Sequence, residues 1–197
     1  RSEYYCKCKY ILEWGSIMSV RMDQLICLPD LQKLNLVGGG KGIYRLIRWV
    51  HIMETTDLVA YVQNNELIIL TGVGILNNKE SFIDLLKGLI EKKAAGLIVN
   101  IGKYILQIPP YIKELADDND FPVFELPWEI SLAEITRIIC SEIVKRHLEE
   151  ISFQDLLMSI IFFNKITLDD FNERLSTFGY NFLSSFRIAI VTIDKFQ

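Results

Sequence analysis

Few residues in this chain stand at spacings that do chemistry. His51 and Glu54 come nearest to an acid–base pair, an imidazole and a carboxylate three residues apart beside Trp49. The segment around them reads as a strand, and strand residues an odd number apart point to opposite faces. Local geometry therefore argues against a catalytic dyad. Gly38-Gly39-Gly40-Lys41-Gly42 invites a phosphate loop, but glycine follows Lys41 where Ser or Thr is needed, and the G-x-x-x-x-G-K spacing is absent. It reads as a turn. Thr71-Gly72-Val73-Gly74-Ile75-Leu76-Asn77 follows a strand and precedes a helix, the context of a dinucleotide fingerprint. Asn77 stands in place of the third glycine, however, and no acidic residue ends a following strand to hold a ribose. Asp117-Asp118-x-Asp120 lacks the glycine and distal glutamate of a calcium loop. No serine sits in a nucleophile elbow.

The cysteines and histidines add no centre. Cys6 and Cys8 form a C-K-C pair, which is neither a zinc spacing nor a redox pair, and Cys27 and Cys140 read as buried thiols. The usage suits a reducing, cytoplasmic setting. Two histidines, His51 and His147, are too few for a histidine-rich metal site. We therefore expect no catalytic residue, no cofactor and no metal.

One positional argument remains. In open parallel sheets, ligands bind beyond the carboxyl ends of the strands. Those ends carry Glu54-Thr55-Thr56, Thr71-Gly72, Asn100-Ile101-Gly102 and Pro127-Trp128. Thr71 and Asn100 offer hydrogen bonds to a small polar ligand, Gly72 and Gly102 leave room for close approach, and Trp128 offers a ring for stacking. With Glu54 these six residues are the expected ligand site.

The elements that must position them follow from apolar periodicity. Val20–Leu28 has helical spacing, stopped by Pro29-Asp30. Tyr44–Met53 reads as a strand, as do Glu66–Thr71, Leu97–Ile101 and Pro122–Leu126. Asn78–Ala94 reads as a helix with Phe82, Leu85, Leu86, Leu89 and Ile90 on one stripe. Pro109-Pro110 opens another helix, to about Asp118. Ser131-x-x-Glu134 is a capping box for a long helix bearing Leu132, Ile135, Ile138, Ile139 and Ile143. A second box, Thr167-x-x-Asp170, and a strand at Arg187–Ile193 follow. Strands alternate with helices from Glu66 to Leu148, and the strands are apolar runs without period-two alternation. That predicts an α/β fold: a mainly parallel sheet flanked by helices, followed by a truncated α+β segment. We expect three segments: 1–17, read as tag, upstream or extension sequence; 18–148, one domain; and 149–197, a linker helix and the opening of a second domain.

Composition narrows the function classes. The 197 residues are 50% apolar and 23% charged, a packed globular balance, and the net charge is −4. No basic surplus is present to neutralise a phosphate backbone, so this chain alone is not expected to bind DNA. No apolar run approaches the roughly 18–20 residues that span a bilayer, and no membrane association is expected.

Arg48-Trp49-Val50-His51 with Glu54, Glu66-Leu67-Ile68-Ile69-Leu70-Thr71-Gly72, Ala95-Gly96-Leu97-Ile98-Val99 with Gly102, Ile108-Pro109, Ala116, and Phe121-Pro122 with Glu125-Leu126-Pro127 carry a resemblance. Together they resemble the N-terminal domain of the PucR family of bacterial transcriptional regulators, the purine catabolism regulator-like domain. Phe171–Asp194 is similar to the start of the GGDEF-like domain that follows in that family. The resemblance implies a sensory domain for a small metabolite, in a regulator that touches DNA only through a C-terminal helix-turn-helix not present here. A homodimer would suit such a regulator, and the isoleucine stripe of the long helix could face either its own sheet or a partner subunit. Two other readings stand beside it: a ligand-free dimerisation or protein-interaction module, and a small α/β enzyme using Glu54 and His51.

Overall fold

The structure, a computed structural model, describes residues 18–73 and 79–158, with positions 170, 173, 175 and 176. The expected elements at Thr167 and Arg187–Ile193, the GGDEF-like resemblance and the first 17 residues lie outside this range, apart from those isolated positions. The chain divides into two compact units, Arg1–Leu148 and Glu149–Gln197.

The first unit is built on a five-stranded sheet. Its strands are β2 (Asn35–Gly38), β4 (Trp49–Met53), β5 (Glu66–Leu70), β6 (Gly96–Ile101) and β7 (Val123–Pro127), in the order β2-β7-β6-β5-β4. β4, β5, β6 and β7 run parallel, and β2 pairs antiparallel with β7. A small antiparallel pair, β1 (Val20–Arg21) with β3 (Leu46–Ile47), stands apart from it. The helices are α1 (Met22–Ile26), α2 (Lys79–Glu91), α3 (Pro110–Asp118) and α4 (Leu132–Met158). The fold is α/β with a mostly parallel sheet.

The order of the four parallel strands decides where the helices go. Each strand lies next to its predecessor and always on the same side. Right-handed crossovers then place every connecting helix on one face. The packing agrees: Phe82, Leu85, Leu86 and Leu89 of α2 and Ile112 and Ala116 of α3 join Met53, Ile68, Leu70, Leu97, Val99 and Val123 in one core. The opposite face carries Val50, Leu67, Ile69, Ile98, Phe124 and Leu126. It is closed by Met22 and Leu25 of α1 and by Ile135, Ile139 and Ile143 of α4. Both faces of β5 are sealed, with Ile68, Ile69 and Leu70 at 0% exposure. Each such side chain contributes about 1.5–3 kcal/mol through burial, which is why that strand reads as an unbroken apolar run.

Three expectations need revision. Tyr44–Met53 is not one strand: a 3-10 turn holds Gly40–Tyr44, and Arg48 separates β3 from β4. The run has the apolar density of a strand, but its two halves serve different sheets. β2 was not foreseen, because Asn35-Leu36-Val37-Gly38 is short and ends in the glycine run. Gly39 sits at φ +70° and donates its N–H to Asp117 Oδ1 at 2.6 Å, and a Cβ there would lie 1.9 Å from the Phe121 carbonyl oxygen. The glycines thus let β2 lie close against the turn before β7. Cys27, expected to be buried, is exposed at the end of α1, whose core side is carried by Met22 and Leu25.

Candidate functional site

The strand ends gather the expected polar residues through register. Met53 pairs with Leu70, and Leu70 with Val99, while Asn100 pairs with Leu126. One residue further along, Glu54 falls beside Thr71 and Thr71 beside Asn100. The Thr71 N–H donates to the Met53 carbonyl at 3.2 Å, so the ladder does extend to Thr71. Neighbouring strands are about 4.8 Å apart, which makes Glu54, Thr71 and Asn100 a lateral row about 10 Å long. By strand alternation this row continues the face of Ile52, Ile69 and Ile98, the face that α4 covers further down.

Within the row the three residues differ. Asn100 is 2% exposed, and its Nδ2 donates to the carbonyls of Leu126 at 3.3 Å and Pro127 at 3.4 Å. Those two bonds fix the amide so that Oδ1 faces the other way, where it accepts nothing among the described residues. Thr71 is 8% exposed, and its Oγ1 is buried with no hydrogen-bond partner. A buried hydroxyl without a partner costs about 1–3 kcal/mol, and Thr136 Oγ1 of α4 is a second one among the described residues. Glu54 is exposed and makes no hydrogen bond or ion pair among the described residues.

The two glycines serve the chain's own packing. At Gly72, φ is +82° and a Cβ would lie 2.9 Å from Ile105 Cγ1. At Gly102 a Cβ would lie 3.2 Å from Trp128 Cβ. The space each glycine leaves is filled by a protein side chain. The loop after β6 therefore folds over the strand ends, tied by Gly102 N–H to the Ile105 carbonyl at 2.8 Å and by Ile108 N–H to Glu125 Oε1 at 3.4 Å. Glu125 also lies 3.9 Å from Lys113 Nζ and accepts from Asn35 Nδ2 at 3.5 Å, so it clamps this loop, α3 and β2 together.

Trp128 closes the row at the end of β7. Its ring meets Tyr104 edge to face at 5.5 Å, and Lys103 Nζ lies 5.1 Å from the Trp128 ring and 5.2 Å from the Tyr104 ring. Lys103 and Tyr104 were not singled out from sequence. Their only signal is their place directly after Gly102, at the end of a buried strand. Three residues after Trp128, Ser131 Oγ accepts the Glu134 N–H at 3.4 Å and starts α4. The other half of the expected capping box is absent, because the Glu134 carboxylate turns to Arg137 instead, at 2.6 and 3.0 Å.

Topology places His51 and Glu54 on opposite faces of the sheet. His51 Nδ1 lies 3.2 Å from Glu66 Oε2 across β4 and β5, on the face of Met53 and Leu70. The sheet thus separates this pair from Thr71 and Asn100. Among the described residues, no three His, Cys, Asp or Glu side chains cluster as metal ligands, and no helix is long and apolar enough to cross a membrane. A shallow groove of about 250 Å³ lies elsewhere, between Leu28–Asp30 and Arg137–Lys145. Of its charged residues, Arg137 is paired with Glu134 and Glu142 with Arg146.

The arrangement is a mostly parallel, singly wound sheet whose loop after β6 folds over the strand ends. The profile of the purine catabolism regulatory protein-like family matches residues 24–143, more than half of the chain, and the chain belongs to that family. Over 124 residues it is 30% identical to the purine catabolism regulatory protein of Bacillus subtilis (strain 168), covering 63% of this chain and 23% of that protein. The chain therefore spans less than a quarter of that relative's length.

Proposed function

We propose that residues 18–148 form the sensory domain of a bacterial transcription regulator, and that a small polar metabolite binds at the strand ends on Thr71 and Asn100. The observation that carries this reading is the buried Thr71 hydroxyl without a partner, beside an Asn100 whose Oδ1 accepts no hydrogen bond among the described residues. A hydroxyl both donates and accepts, and an amide oxygen accepts. The pair suits a ligand edge with an N–H next to a second polar atom, as in purines, ureides and primary amides. The name of the Bacillus relative favours purine-related compounds among these. Glu54 and Trp128 flank the pair, the first as a charge at the solvent side and the second as a stacking ring. Gly72 and Gly102 act indirectly, by letting the loop after β6 close over the site.

In this mechanism the ligand favours one of two arrangements of the strand ends and α4, and its differential affinity sets the population. The signal is read out by parts of the regulator other than these residues: a GGDEF-like segment opening within 149–197, and a helix-turn-helix outside this chain. The setting we propose is the cytoplasm. Thermal unfolding of the 197-residue chain with purines, ureides and amino acids tests the ligand claim. A binder present at a hundredfold over its Kd adds about 2.7 kcal/mol, and Thr71→Val removes that gain. A panel in which no compound stabilises the chain favours the ligand-free interaction module. A compound that binds and is consumed returns the enzyme reading.

A further inference from the structure

β4 is the outer strand of the sheet. β5 pairs with one side of it, and among the described residues no strand pairs with the other. An open edge presents unmet N–H and C=O groups, and proteins guard such edges with lysine, proline or bulges. Trp49-Val50-His51-Ile52-Met53 contains none of these. Apart from His51 it is apolar, and Trp49 and Ile52 are 44% and 43% exposed.

The ladder with β5 tells which groups point outward. Thr71 N–H donates to the Met53 carbonyl, so the peptide groups of Trp49, His51 and Met53 face β5. Those of Val50 and Ile52 face away. Arg48, just before the strand, donates its N–H to the Asn65 carbonyl at 2.8 Å, so the open edge is β4 itself. A second copy of β4, antiparallel about a two-fold axis, pairs only where outward groups meet outward groups. With the axis beside His51, Val50 faces Ile52 of the second copy and the two exchange both backbone bonds. The symmetry doubles this to four.

Charge selects that register over its neighbours. Arg48 and Glu54 are both exposed, and neither side chain has a hydrogen bond or ion pair among the described residues. With the axis at His51, Arg48 stands opposite Glu54 of the second copy at both ends. With the axis at Val50, Arg48 faces Ile52; with it at Ile52, Glu54 faces Val50. The isoleucine stripe of α4 is no rival, since Ile135, Ile139 and Ile143 are buried on the chain's own sheet.

We infer that β4 is a self-pairing edge, which joins two copies of this chain into one continuous ten-stranded sheet with Arg48 of each against Glu54 of the other. A five-residue strand pair falls short of the roughly 1,200 Å² buried in stable complexes, so the association is concentration-dependent. Sedimentation velocity of the 197-residue chain across the micromolar range tests it, without any ligand. The expected result is a monomer–dimer equilibrium that Arg48→Glu weakens by about tenfold or more. Arg48→Glu combined with Glu54→Arg restores it. Ile52→Pro removes an outward N–H while sparing the β5 ladder, and abolishes it; circular dichroism checks that this variant folds, and the two exposed charge variants decide the matter if it does not. A monomer at every concentration overturns the inference, as does a dimer that a folded Ile52→Pro leaves intact, or a double swap that fails to restore association.

Discussion

Replacing Thr71 by valine tests the strand-end site most directly, because the structure gives the change two opposite signs. Valine keeps the shape of threonine and trades the hydroxyl for a methyl. The Thr71 hydroxyl is buried and unpartnered, so folding strips it of water and returns nothing. Its removal should stabilise the ligand-free chain by about 1 kcal/mol. For a unit of this size that raises the Tm by about 3–5 °C. The same change deletes the group proposed to meet the ligand, so the stabilised protein should lose its response to any purine or ureide that shifts the parent. Thr71→Ser completes the series. It keeps the hydroxyl, loses a methyl worth about 1 kcal/mol of burial, and should be less stable yet still responsive. Calorimetry or circular dichroism melts with and without compound read both signs. A Thr71→Val protein that is less stable by 1 kcal/mol or more would refute the reasoning, since the hydroxyl would then have a partner in the folded chain and no vacancy to offer.

Three further outcomes follow from other parts of the molecule. Gly39→Ala should cost about 3 kcal/mol, measured by urea denaturation, because it combines a positive φ with a Cβ pressed on the Phe121 carbonyl. Arg21 holds the Asp23 carboxyl below its ordinary value of 3.8 through paired bonds at 2.9 and 2.6 Å. A depressed folded-state pKa means that the stabilisation is full above the unfolded value and fades as pH falls through the folded one. A carboxyl titration by NMR should thus find the Asp23 midpoint below 3.8, with more than half of the group charged at that pH, and Arg21→Gln should bring the midpoint back up. Burial pushes the Cys140 thiol up, whereas Cys27 is exposed. Since the thiolate is the nucleophile, iodoacetamide at pH 8 should label Cys27 about tenfold faster than Cys140, read by peptide mass spectrometry.

The parallel half of the fold was legible because burial on both faces leaves a plain trace. Glu66–Leu70 and Gly96–Ile101 are short, mostly apolar runs that read as buried strands, and the stripe of α2 and the prolines that open α3 punctuate them. The failures have local causes. β2 is four residues long and gains its place from Gly39 fitting against Phe121, a contact between residues 82 apart in the chain. Tyr44–Met53 looked continuous because both of its halves are apolar, although Ile47 and Val50 are held by different sheets. At the site, the approach of Thr71 to Asn100 could be guessed from strand ends, but their common face depends on register, which no single strand encodes. The use of Gly72 and Gly102 was invisible for the same reason: Ile105 and Trp128 occupy the space beside them, and both arrive from elsewhere in the fold.

The same geometry supports the proposal of binding rather than turnover. General base catalysis needs a carboxylate or imidazole held within hydrogen-bond reach of the reacting proton. His51 is held, but by Glu66, and on the far side of the sheet from Thr71 and Asn100. Glu54 is on the correct side, but it is exposed and no side chain orients it. What the site does have is a mechanical connection. Asn100 grips the carbonyls of Leu126 and Pro127, at the end of the strand that leads through Trp128 and Ser131 into α4. A ligand that draws on the Asn100 amide acts on that strand end directly, and α4 is anchored to the sheet by Ile135, Ile139 and Ile143. A coupling of about 1–3 kcal/mol is the usual size of an allosteric effect. In the proposed mechanism two charge-neutral hydrogen bonds, gained at Thr71 and strained or relaxed at Asn100, would be enough to supply it.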